Sequence, residues 1–172
     1  MKAFMERRQL QLPEINRRVR TDAPRFMEEE DARYAGEVGR LARHLAAGLN
    51  GRRIVMLCGP TSSGKTTTAL LLRDSLREMA VDAHTVSLDD FYRGRELAPV
   101  LEDGSFDYEA LEALDLTRLQ TCMQEIIENG STSLPLFDFM AGRPAAETRP
   151  LRIGPESVVI FEGIHALNPV FE

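Results

Sequence analysis

Apolar positions along the chain follow two different periods, and together they predict an α/β fold. Three short apolar runs, residues 53–58, 83–87 and 157–161, have the length and composition of strands. The first is a continuous run typical of a strand buried on both faces. Elsewhere apolar residues recur every three to four positions, which indicates helices. Strands that alternate with helices predict right-handed crossovers and a mainly parallel sheet.

Helices are predicted over about residues 24–49, 65–80 and 111–128, the last interrupted near residues 115–117. The first has one apolar face and no catalytic signature, so we expect it only to pack against the sheet layer. That face comprises Tyr34, Val38, Leu41, Leu45 and Leu49, and Asn50-Gly51 is the expected stop. Residues 1–23 are basic and interrupted by prolines, which predicts an irregular arm or the remnant of a preceding module. Residues 134–139 are expected to be a short extended segment.

Composition narrows the function classes. The chain has 172 residues, 43% of them hydrophobic and 28% charged, as expected for one soluble globular domain. A net charge of -6 argues against a nucleic-acid partner. No apolar run is long enough to cross a bilayer, and the N-terminus lacks a signal core. Cys58 and Cys122 suggest neither a disulfide framework nor a metal site, which favours a cytoplasmic setting. We expect Cys58 to lie in the core.

The segment after the first predicted strand matches the phosphate-binding loop G-x-x-x-x-G-K-[ST] without a mismatch. The glycines let successive N–H groups converge on phosphate oxygens, and the following helix adds its positive end. Lys65 can reach the β- and γ-phosphates, and the Thr66 hydroxyl can ligate Mg²⁺. We therefore predict that ATP and Mg²⁺ bind here. The predicted ATP contacts are Gly59, Thr61, Ser62, Ser63, Gly64, Lys65, Thr66 and Thr67.

Acidic residues follow two of the predicted strands. Glu162 comes directly after residues 157–161, and Asp89 and Asp90 come shortly after residues 83–87. The carboxyl ends of parallel strands form the edge at which α/β sheets bind ligands. Glu162 is therefore predicted to hold Mg²⁺ directly or through water. Asp89 or Asp90 can act as general base on a substrate hydroxyl, and the alternative for both is a solvated turn.

Five motifs occur in the order found in uridine kinases, so the chain resembles the phosphoribulokinase/uridine kinase group over about residues 53–168. They are the phosphate loop, Asp89-Asp-Phe-Tyr-Arg93, Phe106-Asp-Tyr108, Leu134-Pro-Leu-Phe-Asp-Phe139 and Phe161-Glu-Gly-Ile164. The resemblance implies a three-layer P-loop NTPase sandwich. It also implies ATP- and Mg²⁺-dependent phosphorylation of a nucleoside 5′-hydroxyl.

The resemblance assigns roles to single positions. Asp89 matches the base toward the 5′-hydroxyl, Asp107 the acid that contacts the ribose, and Glu162 the acid near Mg²⁺. Phe137 and Phe139 match positions that line the nucleobase pocket. On charge alone, Arg143 is a further candidate for pairing with substrate or phosphate. The catalytic residues expected are Asp89 and Lys65. The substrate contacts expected are Tyr92, Asp107, Phe137, Phe139 and Arg143, and the metal ligands are Thr66 and Glu162.

Two departures from the family pattern leave the acceptor open. Uridine kinases usually carry Tyr at position 137 and His near positions 141–142, where this chain has Phe and Ala-Gly. Both polar groups help to read the pyrimidine edge. The acceptor can therefore be another nucleoside or polyol, including a sugar phosphate or a pantothenate-like alcohol. A nucleotide-binding regulatory module without catalysis is the alternative from another class.

The expected organisation is an N-terminal arm and helix over residues 1–50 and a P-loop kinase domain over residues 51–172. Related kinases continue with a lid helix and an adenine-binding segment, so we expect this domain to be incomplete at its C-terminus. No nucleic-acid or membrane partner is expected, and a homo-oligomer is left open.

Overall fold

The computed structural model describes residues 9, 11–49, 51 and 53–171. The helices in this part of the chain are α1 (Leu12–Gly48), α2 (Lys65–Glu78) and α3 (Leu116–Asn129). The strands are β1 (Ile54–Cys58), β2 (Ala83–Ser87), β3 (Ser131–Asp138), β4 (Arg143–Arg152) and β5 (Val158–Gly163). Short 3₁₀ turns cover Leu88–Phe91, Arg95–Leu97, Leu111–Ala113 and Pro169–Phe171. None of the described helices combines the length and apolar character that crossing a bilayer requires.

The main sheet has three parallel strands in the order β1-β5-β2. Its central strand, β5, is buried along its whole length, because layers cover both of its faces. Val158 and Ile160 face the side of α1 and α2, whereas Val159 and Phe161 belong to the core on the side of α3 and β3. Alternate residues of one strand thus enter two cores. The predicted three-layer α/β architecture with a parallel sheet is confirmed.

β1 corrects one expectation. Its residues were expected to be buried on both faces, but most of them are half-buried and Cys58 is exposed. Among the described residues β1 pairs with β5 alone, so it lies at an edge of the sheet and has less cover than the central strand. Cys58 is therefore not a core residue. Cys122 is buried, and both cysteines are free.

The first helix begins much earlier than predicted. Residues 12–23 are helical rather than an irregular arm, with Pro13 at the start of α1, where a missing N–H costs nothing. The helix is sharply bent at Asp22, whose backbone is extended. The Asp22 carboxylate accepts the N–H of Arg25 at 3.1 Å and so caps the second part. Residues 1–8, 10 and 50 of the predicted arm and stop lie outside the described residues.

Ion pairs hold the bend of α1 closed. The Arg18 guanidinium pairs with Glu29, lies 3.4 Å from Glu30 and stacks 4.4 Å from the centre of the Phe26 ring. In a straight helix, residues eleven positions apart would be separated by about 16 Å. These contacts therefore require the bend, which lets the second part of α1 turn its predicted apolar face, including Val38, onto α2.

A β-hairpin follows α3, and only half of it was predicted. β3 includes the predicted extended segment, but its partner β4 was missed. Almost every residue of β4 is exposed, so its sequence shows no alternation of apolar and polar positions. Leu151 is its buried residue. The register shifts between Pro135 and Phe137, which marks a bulge in the part of β3 that carries Phe137.

Candidate active site

The phosphate loop connects β1 to α2 with a tightly bent backbone. Ser62 and Gly64 have positive φ angles of 59° and 84°, in the left-handed region. A Cβ on Gly59 would lie 2.8 Å from the Ser63 hydroxyl and 3.1 Å from Lys65 Cγ, so a larger residue there would displace both side chains. No side chain caps α2 at Gly64, so the N–H groups of its first turn stay available to an anion. The loop has the geometry of a phosphate cradle.

Two predicted metal ligands come together beside this loop. The Thr66 hydroxyl donates to Glu162 Oε1 at 2.9 Å, and Glu162 is 4% exposed. Hydroxyl and carboxylate oxygens are hard ligands of the kind that Mg²⁺ prefers, and Mg²⁺ usually takes one or two carboxylates plus phosphates and water. The described residues contain no cluster of three or more His, Cys, Asp or Glu for a metal. The pair Thr66 and Glu162 therefore fits Mg²⁺ that is shared with a bound triphosphate.

The remaining predicted ATP contacts lie on the loop or in the first turn of α2. Lys65 folds back, and its ammonium donates to the Pro60 carbonyl at 3.0 Å. The Thr61 hydroxyl donates to Glu109 Oε1 at 2.6 Å, which ties the loop to the segment before α3. Ser62, Ser63 and Thr67 are exposed, so a ligand can approach them.

The strand register brings Asp89 to the same edge. Ser87 and Leu57 both align with Glu162, so the ends of all three parallel strands meet there. Asp89 lies in the turn Leu88–Phe91, just after β2. A Cβ on Gly163 would lie 2.7 Å from Leu88 Cβ. The missing side chain thus lets Leu88 pack onto β5, and Asp89 comes near Glu162.

The Asp89 carboxyl feels both the phosphate loop and its acidic neighbours. Burial raises the pKa of Asp89, the charges of Glu162 and Asp90 raise it further, and the charge of Lys65 opposes them. Asp90 has a different environment: its Oδ1 accepts the N–H of Phe137 at 3.4 Å, and burial raises its pKa. Asp89 therefore interacts with the nucleotide side, whereas Asp90 supports the hairpin.

An aromatic pocket of about 290 Å³ has Tyr92, three residues after Asp89, in its lining. Its lining residues are Tyr92, Gly94, Arg95, Ala98, Tyr108, Ala113, Phe137 and Phe139. The rings of Tyr92 and Phe137 meet edge-on with centroids 5.7 Å apart, and those of Phe137 and Phe139 at 5.1 Å. Burial, followed by the charges of Asp89 and Glu109, raises the pKa of Tyr92 to about 12. The charge of Asp89 therefore acts on Tyr92, which lines the pocket.

Two predicted substrate residues lie outside the pocket lining. Asp107 accepts the N–H of Glu109 at 3.0 Å through Oδ1 and so stabilises a turn. Arg143 is exposed at the start of β4, opposite Asp138 in the hairpin register. The structure thus brings together three of the five predicted substrate residues: Tyr92, Phe137 and Phe139.

This arrangement can be compared with known proteins. The model of the family described as "Phosphoribulokinase / Uridine kinase family" matches residues 54–169, more than half of the chain. The chain belongs to the phosphoribulokinase/uridine kinase family. The resemblance seen in the sequence motifs is therefore confirmed.

Curated relatives support the same family. The zebrafish Uridine-cytidine kinase 2-B is 28% identical over 120 residues, which cover 64% of this chain and 44% of that protein. The Lactobacillus johnsonii uridine kinase is 25% identical over 117 residues, which cover 67% of this chain and 53% of that protein. The chain thus spans about half the length of these relatives.

Solved structures show the shared fold. A structure titled as a possible uridine kinase from Bacillus stearothermophilus superposes with a TM-score of 0.62 at 19% identity, covering 76% of this chain and 73% of that one. A putative fructose transport system kinase from Silicibacter superposes with a TM-score of 0.62 at 24% identity, covering 78% and 68%.

Several residues of the pocket lining were not among those predicted from the sequence. Tyr108 lies in the recognised Phe-Asp-Tyr motif, so that motif could have indicated it. Arg95, Ala98 and Ala113 carry no spacing signal, because they meet only after the segment before α3 has folded back on the hairpin. Glu109 was also missed, although it joins the phosphate loop to this segment.

Proposed function

We propose that this protein phosphorylates the 5′-hydroxyl of a nucleoside with ATP and Mg²⁺. The observation that carries the proposal is the position of Asp89. It follows β2 at the sheet edge that carries Glu162, and the charges of Glu162 and Lys65 both act on its carboxyl. The charge of Asp89 also contributes, after burial, to the raised pKa of Tyr92, which lines the aromatic pocket. A base between a triphosphate cradle and an acceptor pocket suits phosphoryl transfer.

The residues divide the work of the reaction. The loop N–H groups and Lys65 hold the phosphates, and Thr66 with Glu162 would hold the metal. Bound Mg²⁺ would neutralise charge on the β- and γ-phosphates. Asp89 takes the proton of the acceptor hydroxyl, and the oxygen of that hydroxyl forms a bond to the γ-phosphorus. The bond between the γ-phosphorus and the bridging oxygen breaks, so ADP leaves.

The pocket suits the body of the acceptor. The faces of Tyr92, Phe137 and Phe139 can contact a flat ring, which a nucleobase provides. Asp107 is proposed to hold the ribose through Oδ2, which accepts no hydrogen bond from the described residues. Arg143, which is exposed, is proposed to pair with the substrate or a phosphate.

Two wider expectations also remain proposals. We place the protein in the cytoplasm, which suits its two free cysteines. We keep the division into residues 1–50 and 51–172, with α1 as a layer that covers α2 through a shared apolar core.

A different small alcohol is the second candidate acceptor. The observation that favours it is the apolar character of the hairpin side of the pocket, where Phe137 and Phe139 offer no side-chain hydrogen bonds. An alcohol with a largely apolar body, such as a pantothenate-like acceptor, would need fewer hydrogen bonds from this wall than a pyrimidine does.

ADP release in the presence of a panel of nucleosides and small polyols tests the proposal. We expect release that depends on a nucleoside. Asp89→Asn should lower it by about 10²- to 10⁴-fold, because general base catalysis is lost, and should change the Kd for ATP less than about threefold. Asp74→Asn, which removes an exposed carboxylate from α2, is the matched control. Release with polyols alone would favour the second candidate, and no release with any acceptor would refute both.

A further inference from the structure

The aromatic pocket contains one charged side chain, that of Arg95. Its other lining residues are Gly, Ala, Tyr and Phe, which offer apolar surface and, at Tyr92 and Tyr108, a hydroxyl. A guanidinium has five N–H donors and no acceptor. No carboxylate in the described part of the chain pairs with Arg95, so its charge is not neutralised there.

Two contacts with the β3–β4 turn hold Arg95 at the pocket. Its backbone N–H donates to the Gly142 carbonyl at 3.0 Å, and Nη2 donates to the Phe139 carbonyl at 2.9 Å. The second bond uses one of the guanidinium's N–H groups and leaves the others for a ligand. Arg95 is thus held in place while N–H donors of its guanidinium remain free to bind a ligand.

Gly142 makes room for this side chain. Its φ is +66°, in the left-handed region, and a Cβ there would lie 2.6 Å from both Cδ and Nε of Arg95. The stem of Arg95 therefore lies where any other side chain at position 142 would stand. The position of the guanidinium depends on a glycine that the turn conformation also favours.

We propose that Arg95 selects acceptors whose flat ring carries a carbonyl oxygen at the edge farthest from the sugar, as at C4 of uridine and C6 of inosine. This inference rests on the proposed function, because it assumes that the acceptor's ring enters the aromatic pocket. The rings supply contact area for any planar body, so they discriminate little. A site that provides hydrogen-bond donors discriminates against ligands that lack the acceptor. Oxo-bearing nucleosides are the chemical class that offers both a flat ring to the aromatic side chains and a hydrogen-bond acceptor to Arg95.

Equilibrium binding by calorimetry without ATP tests the inference. The ligands are two pairs: uridine with its 4-deoxo analogue, and inosine with purine riboside. The comparison uses the pair whose oxo nucleoside binds wild type more tightly. In that pair we expect the Kd of the oxo nucleoside to be lower than that of its partner by on the order of tenfold. A larger ratio is not expected, because Arg95 is exposed to solvent. Arg95→Met keeps an unbranched stem and should reduce the ratio to about one by weakening only the oxo ligand.

Two further variants separate recognition from folding. Gly142→Ala should displace Arg95 and reproduce the loss of preference, with Arg95 itself intact. Arg152→Met removes the same charge from an exposed position at the far end of the hairpin and should leave the ratio unchanged. Melting curves of all variants check that they fold.

The outcomes distinguish this inference from the proposed function. Nucleosides that bind without an oxo preference, or a preference that survives Arg95→Met, would overturn the inference and leave the function standing. Binding of inorganic phosphate that depends on Arg95 and competes with uridine would also overturn it, because Arg95 would then read an anion. Absence of both binding and phosphoryl transfer for every nucleoside would refute the proposed function itself.

Discussion

The two halves of the candidate site are built in opposite ways. The phosphate loop comes from eight consecutive residues, Gly59 to Thr66, and we propose that its backbone does most of the binding. The proposed acceptor pocket comes from separate segments around Tyr92, Ala113 and Phe137, and side chains form most of its surface. Chemistry that is common to all triphosphates can be encoded locally, whereas acceptor selection depends on tertiary contacts.

This difference predicts how each half responds to substitution. In the loop, glycine positions and Lys65 face a highly charged ligand, so single changes should have effects of several orders of magnitude. In the pocket, recognition is spread over rings that contact one another, so single changes should be graded.

The largest effect is expected from Lys65→Met. Removing the ammonium leaves the transferring phosphoryl group without its protein cation, so kcat should fall by about 10³-fold. Steady-state ADP release measures the change. Arg77→Met, at the other end of α2, removes the same charge and is the control. A loss below tenfold would contradict the assigned role of Lys65 and weaken the contrast between the halves.

The pH dependence of the phosphoryl-transfer rate tests Asp89, which we propose to act between the phosphate loop and the aromatic pocket. Burial and the charge of Glu162 raise the pKa of Asp89, and only the ionised carboxylate can take a proton. The rate should therefore fall about tenfold per pH unit below a midpoint that lies above the ordinary Asp value. Asp90→Asn removes a like charge and should move the midpoint to lower pH. An unmoved midpoint would contradict the electrostatic coupling of these carboxyls.

The same shift has a consequence for stability. Because folding raises the pKa of Asp89, the folded state holds this proton more tightly than the unfolded chain does. That stabilisation is present at low pH and is lost as pH rises through the folded-state pKa. Asp89→Asn should therefore be more stable than wild type at pH 7, by less than about 1 kcal/mol because solvent screens the site.

A graded effect is expected from Phe139→Leu. The change removes the edge-on contact with Phe137, which is worth about 0.5–1.5 kcal/mol beyond burial, so the KM for the acceptor should rise a few-fold. The KM for ATP in the same assay is the internal control and should not change. An equal rise in both constants would show that the halves are not independent.

The smallest effect is expected from Tyr34→Phe. The Tyr34 hydroxyl bonds to Thr68, whose own hydroxyl donates to the Gly64 carbonyl at 2.8 Å. The variant should lower the free energy of unfolding by about 1 kcal/mol and weaken ATP binding at most a few-fold. Denaturant unfolding and ATP titration measure both. Unchanged values would show that α1 does not support the loop.

Much of the fold followed from local patterns. β5 is a short continuous apolar run and α3 has a helical apolar period, and Asp115 caps α3 by accepting the N–H of Arg118 at 2.9 Å. By contrast, β4 could not be predicted, because its exposed residues carry no alternation. Residues 12–23 were misjudged because Pro13 and Pro24 suggest irregular chain. In the structure, Pro13 lies at the start of the helix, and the helix bends at Asp22 rather than ending there.

Some residues of the candidate site could also be predicted from local sequence, whereas others depend on tertiary contacts. The loop, Asp89 and Glu162 could be named from motifs, since each follows a strand end that the parallel register aligns. Arg95 could not, because its place depends on two carbonyls of a distant turn and on the missing Cβ of Gly142.

The proposal that the γ-phosphoryl group of ATP passes to a nucleoside hydroxyl, with Asp89 as the base, is tested by analysis of the products. Wild type is incubated with ATP, Mg²⁺ and each nucleoside, and phosphorus NMR follows ATP, ADP and any new monophosphate. We expect a nucleoside 5′-monophosphate formed in equal amount to ADP, and its loss in Asp89→Asn. ADP that appears with inorganic phosphate, independently of the nucleoside, would contradict it.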